Sequence, residues 1–214
     1  MPPSQGVGGM ASIYPVSDMK GRVTLPGSIG ILAIQGSFLL HRRALESLGV
    51  EAREVRKPRD LEGIVGLIIP GGESTVMSLL AREYGVFEPI RELGRKGLPM
   101  FGTCAGAILL GRGEGPPQRL ELAPVELLRN AYGSQVDSFT AVLRLEPFEK
   151  PFHGVFIRAP KIGRVDVVLA KVLGEHEGSP VLVESGSVLL STFHPELTDD
   201  LRLHRYFLEK CCRR

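Results

Sequence analysis

Two kinds of hydrophobic pattern alternate along the first half of the chain. Short runs at Ile29 to Ile34, Val50 to Val55, Ile64 to Ile69 and Met100 to Gly102 carry strand-forming residues and stop at Gly, Pro or Gln-Gly, as strands buried in a parallel sheet do. Between them the apolar residues fall at helical spacing. Leu40, Ala44, Leu45 and Leu48 line one face of a helix over Leu39 to Leu48, which Gly49 terminates. Pro58 to Leu61 reads as a connection, Ser74 to Ala81 as the start of a second helix, and Val86 to Lys96 as an amphipathic third. After Met100 to Gly102, the stretch Ala107 to Leu110 is again helical. Parallel strands need crossover connections, so repeated strand-helix units of this length predict a parallel sheet covered by helices on both faces.

From about Phe139 the pattern changes to strands alone: Ala141 to Leu145, Val155 to Arg158, Val165 to Val172, Val181 to Ser185 and Ser187 to Thr192, the last two joined as a hairpin through Ser185-Gly186. A closing helix is expected over Asp199 to Lys210. The fold class is therefore α/β, a flavodoxin-like three-layer sandwich with a mostly parallel central sheet and an antiparallel C-terminal portion. Residues 1–28 are rich in Gly, Pro and Ser with no helical period and read as a flexible extension, or as an upstream start whose true beginning lies near Met10 or Met19. Residues 29–214 read as a single domain.

Composition narrows the function more than the fold. With 43% hydrophobic residues, 23% charged and a net charge of +2, the chain has no basic surface that would require nucleic acid. No apolar run approaches the ~20 residues that span a bilayer. Three cysteines, two of them the adjacent Cys211 and Cys212, make a poor disulfide framework and fit a reducing cytoplasm. The histidines other than His194, namely His41, His153, His176 and His204, show no metal-ligand spacing. The Cys211-Cys212 tail reads as a helix end, and His41 as a residue that could sit at an interface.

The chemistry concentrates at three turns. Cys104 follows a strand in Gly102-Thr103-Cys104-Ala105-Gly106, the small-residue setting of a nucleophile elbow. Such a turn presents the thiol at the carboxyl edge of the sheet and leaves the next backbone N–H, that of Ala105, free as an oxyanion donor. An inert buried cysteine is the bland alternative; the flanking glycines argue against it. A thiol needs a base, and His194 in Phe193-His194-Pro195-Glu196 ends another strand, with Glu196 placed to fix its tautomer. Alone, His-Pro-Glu would be an ordinary surface turn. Pro70-Gly71-Gly72-Glu73-Ser74 is a third strand-to-helix turn, able to aim a Gly72 N–H at the same oxyanion or simply to be capped by Ser74.

Six ordered blocks, Leu-Ala-Ile-Gln-Gly at 32–36, Pro-Gly-Gly-Glu-Ser-Thr at 70–75, Phe-Gly-Thr-Cys-Ala-Gly at 101–106, Arg-Asn-Ala-Tyr-Gly at 129–133, Phe-Ile-Arg-Ala-Pro at 156–160 and Phe-His-Pro-Glu-Leu at 193–197, resemble the glutaminase subunits of pyridoxal 5′-phosphate synthase, within the class I amidotransferases. The resemblance implies hydrolysis of L-glutamine to glutamate and ammonia, with no cofactor and no metal, and delivery of the ammonia to a barrel-type synthase subunit in a large hetero-oligomer. It implies Cys104 as nucleophile with His194 and Glu196 as its relay, an oxyanion hole from Gly72 and Ala105, and a glutamine site from Gly71, Gly72, Glu73, Arg129, Ile157 and Arg158. In such a family the activity is switched on by docking, through reorientation of the Gly71-Gly72 backbone.

The chain departs from the family pattern at Ser37-Phe38-Leu39-Leu40-His41, where an acidic residue commonly precedes the histidine, and at Ser134, where relatives often carry a basic residue. Two other functions could reuse the elbow: a cysteine hydrolase or peptidase on a related scaffold, and a regulatory module that has lost its chemistry. The first has no need of the Gly-Gly-Glu-Ser-Thr block or Arg129, and the second has no need of an intact Cys104, His194 and Glu196.

Overall fold

The computed structural model describes residues 25–113, 115–129 and 138–212. Its central sheet has seven strands in the order β2-β1-β3-β4-β11-β10-β9. These are β1 (Ser28–Leu32), β2 (Ala52–Val55), β3 (Ile64–Ile69), β4 (Met100–Thr103), β9 (Lys171–His176), β10 (Ser179–Ser185) and β11 (Val188–Ser191). Strands β2, β1, β3, β4 and β11 pair in parallel, whereas β10 and β9 each run antiparallel to their inner neighbour. The remaining four strands form two antiparallel ribbons, β5 (Val125–Leu128) with β8 (Lys161–Val165) and β6 (Ser138–Leu143) with β7 (Phe152–Ile157).

The period of two along each strand sorts its side chains into two cores. Leu67, Ile69, Met100, Val188 and Leu190 point to one face, where α2 (Ser74–Glu83), α3 (Phe87–Arg95) and α4 (Ala105–Leu110) cover them with Met77, Phe87, Ile90 and Ile108. Ile68, Phe101 and Leu189 point to the other, under Leu45 of α1 (Phe38–Ser47), Leu48 at its C-terminal cap, and Leu203, Phe207 and Leu208 of α5 (Arg202–Cys212). The three-layer α/β arrangement expected from the pattern is thus present, and no helix among the described residues is long and apolar enough to cross a membrane.

The C-terminal half differs from expectation in several places, among them the β5–β8 ribbon, which the pattern does not predict. The run expected as one strand over Val165 to Val172 is broken at Asp166, whose Oδ1 accepts from the Val168 N–H at 3.1 Å and whose carbonyl accepts from Leu169 and Ala170. An aspartate that binds the backbone just ahead of it makes a turn, and it leaves Val167, Val168 and Leu169 exposed despite their strand propensity. The ribbon strands begin earlier, β6 at Ser138 and β7 at Phe152, while Leu145 keeps only an isolated bridge to Gly174. The closing helix begins at Arg202 because Asp200 Oδ1 accepts the Arg202 N–H at 3.1 Å. Residues 1–24, the Asn130 to Gly133 part of the fourth block and Ser134 lie outside the described residues.

Candidate active site

Strands β1, β3, β4 and β11 all end at one edge of the sheet, where ligands gather in open α/β folds. The turn after β4 is tight. Cys104 has φ +48° and ψ −105°, a conformation that costs a non-glycine residue about 1–3 kcal/mol. Its N–H is fixed on the Ser191 carbonyl of β11 at 2.8 Å. The glycines on either side answer close approaches: a methyl at Gly102 would meet the Gly106 backbone at 2.7 Å, and one at Gly106 would overlap the Ile69 carbonyl. The elbow is held where β3, β4 and β11 converge, and the thiol is only 6% exposed.

Strand β11 places the base. After Ser191 the chain runs through buried Thr192 and Phe193 to His194, whose N–H is bound by the Val155 carbonyl at 2.8 Å. Pro195 opens a 3-10 turn, Pro195–Leu197, that folds Glu196 back onto the imidazole, with His194 Nδ1 2.8 Å from Glu196 Oε1. The Cys104 side chain lies close enough to the ring to bear on its protonation. Burial opposes protonation of His194, but the neighbouring Cys104 side chain and the Glu196 carboxylate outweigh it and hold its pKa up at about 10. Burial also opposes ionisation of Glu196, yet the imidazoles of His41 and His194 and the Ser37 hydroxyl bring its pKa down to about 2.

The third turn wraps around this pair. Gly71 lies against the imidazole, so that a methyl there would come within 2.8 Å of His194 Nδ1 and overlap Cε1. The Gly71 carbonyl accepts from the Ser37 N–H at 3.0 Å, and the Glu73 N–H donates to Gln35 Oε1 at 2.9 Å. Glu73 then caps α2 by accepting from Thr75 and Val76 N–H at 3.2 and 2.8 Å. Arg129 completes the cluster, with Nη2 3.0 Å from Glu73 Oε1 and Nη1 2.8 Å from Thr75 Oγ1. Against the cost of burial, these backbone donors and the Arg129 charge hold the Glu73 carboxyl below its usual pKa.

A cavity of about 160 Å³ opens beside the thiol, lined by Gly72, Glu73, Ser74, Cys104, Ala105, Ile108, Arg129, Arg158 and Pro160. Wider grooves of about 850 and 600 Å³ lie beside Pro147 and Leu173 and beside Arg112 and Asp166, and neither is lined by a cysteine or histidine. Of the residues singled out in the sequence, Gly72, Glu73, Ala105, Arg129 and Arg158 therefore meet Cys104 at one cavity, with Gly71, His194 and Glu196 behind it. Ile157 differs: its side chain is 40% exposed, and only its carbonyl faces the thiol, at 3.7 Å from Sγ.

Four polar residues at the site escape the sequence reading. Gln35 and Ser37 follow β1, and their place at a strand's carboxyl end was the available signal. His41 and His204 are both fully buried, so His41 cannot touch a partner as its reading as an interface residue required. The helical stripes offered that signal: His41 precedes Ala44, Leu45 and Leu48, and His204 precedes Phe207, Leu208 and Cys211, at the spacing of an inward face.

The chain is similar to several known proteins. The SNO glutamine amidotransferase family matches residues 31–213. The pyridoxal 5′-phosphate synthase subunit PdxT of Thermus thermophilus is 54% identical over 190 residues, covering 86% of this chain and 97% of its own. The protein of that name from Thermococcus onnurineus is 48% identical over 192 residues, 85% of this chain and 98% of its own. A crystal structure described as a glutamine amidotransferase superposes with a TM-score of 0.82 at 51% identity, covering 86% of this chain and 99% of that one. The PurLQS structure from Thermotoga maritima, at 20% identity and a TM-score of 0.59, shares the fold. A match that spans nearly every described residue and contains all three turns shows that the chain belongs to the SNO glutamine amidotransferase family.

Proposed function

We propose that the chain is the glutamine-hydrolysing subunit of a pyridoxal 5′-phosphate synthase, with Cys104, His194 and Glu196 as its catalytic triad and residues 29–214 as its amidotransferase domain. The observation that carries the reading is the Cys104–His194–Glu196 relay set beside a small cavity whose wall holds the Glu73–Arg129 pair. Glutamine enters with its side-chain amide toward the thiol and its charged head group toward Glu73 and Arg129, which offer one acceptor and one cation. The Cys104 thiolate attacks the amide carbon. The oxyanion that forms is received by the N–H groups of Ala105 and Gly72; Ala105 opens α4, so its N–H has no carbonyl within the helix to bind. Protonated His194 gives its proton to the departing nitrogen, ammonia leaves, and a γ-glutamyl thioester remains. Neutral His194 then takes a proton from water, hydroxide displaces the thiolate, and glutamate is released. Glu196 orients the ring and stabilises its charged form throughout.

The ammonia passes to a barrel-type synthase subunit in a hetero-oligomer, a partner supported by the names of the two relatives. Docking of that partner switches the site on by turning the Gly71-Gly72 peptide. The present anchorage of the Gly71 carbonyl on Ser37 is a contact that docking can break. The test is ammonia release from glutamine by the purified chain, alone and with a candidate synthase. Hydrolysis that rises when the partner is added is the expected result; peptide cleavage, or glutamine binding without turnover, would remove the proposal.

A further inference from the structure

The inner side of Glu196 faces two histidines for which the triad has no use. His41 from α1 and His204 from α5 meet in the core, with Nδ1 of His41 3.0 Å from Nε2 of His204. The other nitrogen of His41, Nε2, lies 3.2 Å from Thr103 Oγ1 and 3.4 Å from Glu196 Oε2. Phe101 closes the cluster, edge-on to both rings. These are positions on apolar helix faces, where an aliphatic residue would pack without needing a polar partner.

Proton bookkeeping distinguishes the two ways of wiring the pair. Glu196 Oε2 and His204 Nδ1 are buried and have no hydrogen-bond partner in the direct geometry. If His41 carried its proton on Nδ1, its bare Nε2 could accept from the Thr103 hydroxyl but would also turn a lone pair toward a carboxylate oxygen, and His204 would hold a buried N–H at Nδ1 with no acceptor. If instead His204 donates from Nε2 to His41 Nδ1, then His41 holds its proton on Nε2. That N–H then donates to Thr103 Oγ1 and lies 3.4 Å from Glu196 Oε2, and His204 keeps a bare Nδ1 rather than a buried N–H. A lone pair turned toward a carboxylate, with a buried N–H unmet elsewhere, costs more than an N–H turned toward it with a bare imidazole nitrogen elsewhere. Burial acts in the same direction, lowering His41 and pushing His204 down to about 3, so that both rings stay neutral.

We propose that His41 is a positioning residue for the relay: held as its Nε2–H tautomer by His204, it sets a polar N–H 3.4 Å from the inner oxygen of Glu196 and fixes the carboxylate that orients His194. Ser37 Oγ donates to the outer oxygen, 2.7 Å from Oε1. Glu196 is thereby clamped by α1 from both ends and, through His204, by α5. The inference rests on the triad reading above.

The experiment has two arms that fail separately. Long-range proton–nitrogen NMR of the full chain with labelled histidine is expected to show His41 and His204 neutral and as Nε2–H tautomers at neutral pH. An Nδ1–H tautomer or a charged ring at His41 overturns the proposal whether or not the protein hydrolyses glutamine. With the synthase present, His41→Leu is expected to lower kcat about 10- to 100-fold, as loss of a polar partner beside a buried charge does, while KM for glutamine stays within about twofold. His41→Gln, whose amide nitrogen can reach the position of Nε2, is expected to recover kcat to within about threefold of the parent. A glutamine variant as impaired as the leucine variant, or a leucine variant as active as the parent, overturns the role. A parent chain without glutaminase activity overturns the proposed function instead and leaves the tautomer measurement to decide.

Discussion

Gly71 lies flat against the imidazole of His194, so closely that a single methyl at that position would come within 2.8 Å of Nδ1 and overlap Cε1. The residue that carries the oxyanion turn thus forms one wall of the base. Its φ is not in the left-handed region, so alanine fits the backbone, and the obstacle is the ring alone. Gly71→Ala is expected to displace His194, costing about 1–3 kcal/mol of stability and about 10- to 100-fold in kcat. Paired denaturation and steady-state assays read both, and a variant with parental kcat would show that the turn and the base are independent.

Cys104→Ala separates chemistry from architecture. The backbone fixation through Ser191 does not involve the thiol, so the variant is expected to fold, bind glutamine and lose about 10⁴-fold or more of its hydrolysis. His194 reports the same change. The Cys104 side chain stands first among the influences that raise its pKa to about 10 against the effect of burial. Removing the sulfur should therefore bring the pKa down toward the ordinary histidine range, which an NMR titration of the ring measures directly. An unchanged titration would disconnect the two side chains.

The parallel half of the fold was legible because buried strands and one-sided helices leave different periods, and β1, β3 and β4 begin within one residue of where those periods place them. The antiparallel half was less legible. Val167-Val168-Leu169 has the composition of a strand, but Asp166 takes the local backbone into a turn, a choice made by one carboxylate rather than by hydrophobicity. At the site, Cys104, His194 and Glu196 were readable because each closes a strand or turn with a distinctive residue set. His41 and His204 were not, since single histidines in helices separated by 163 residues show no pattern until packing brings their rings to 3.0 Å.

Arg129 and Glu73 share one ion pair but differ in their second duty, and variants should separate the two. Arg129 lines the cavity and reaches Thr75 Oγ1. Arg129→Gln is expected to raise KM for glutamine about tenfold with kcat within about threefold, the pattern of lost ground-state binding. Glu73 also caps α2 through the N–H groups of Thr75 and Val76. Glu73→Ala is therefore expected to raise KM similarly and to lose about 1 kcal/mol of stability besides. Thermal melts decide the matter; equal stability of the two variants would deny the capping role.

Stability should follow the charge state of the buried His194–Glu196 pair, and the sign differs on the two sides. Glu196 has a folded pKa of about 2 against an ordinary value of 4.5. Its contribution is present above 4.5 and is lost as pH falls toward 2. His194 has a folded pKa of about 10 against 6.5, so its contribution is complete below 6.5 and is lost as pH rises toward 10. The two shifts share the His194–Glu196 interaction, with Cys104 also raising His194 and His41 and Ser37 also lowering Glu196, so they are not added. Glu196→Gln keeps an acceptor for the imidazole but removes the charge, so the difference in Tm between parent and variant isolates the charge term. That difference is expected to be widest between about pH 4.5 and 6.5 and to shrink in both directions. A difference that stays constant across the range would mean that the carboxylate is neutral in the folded chain, and a neutral Glu196 could not hold His194 protonated for the ammonia it must release.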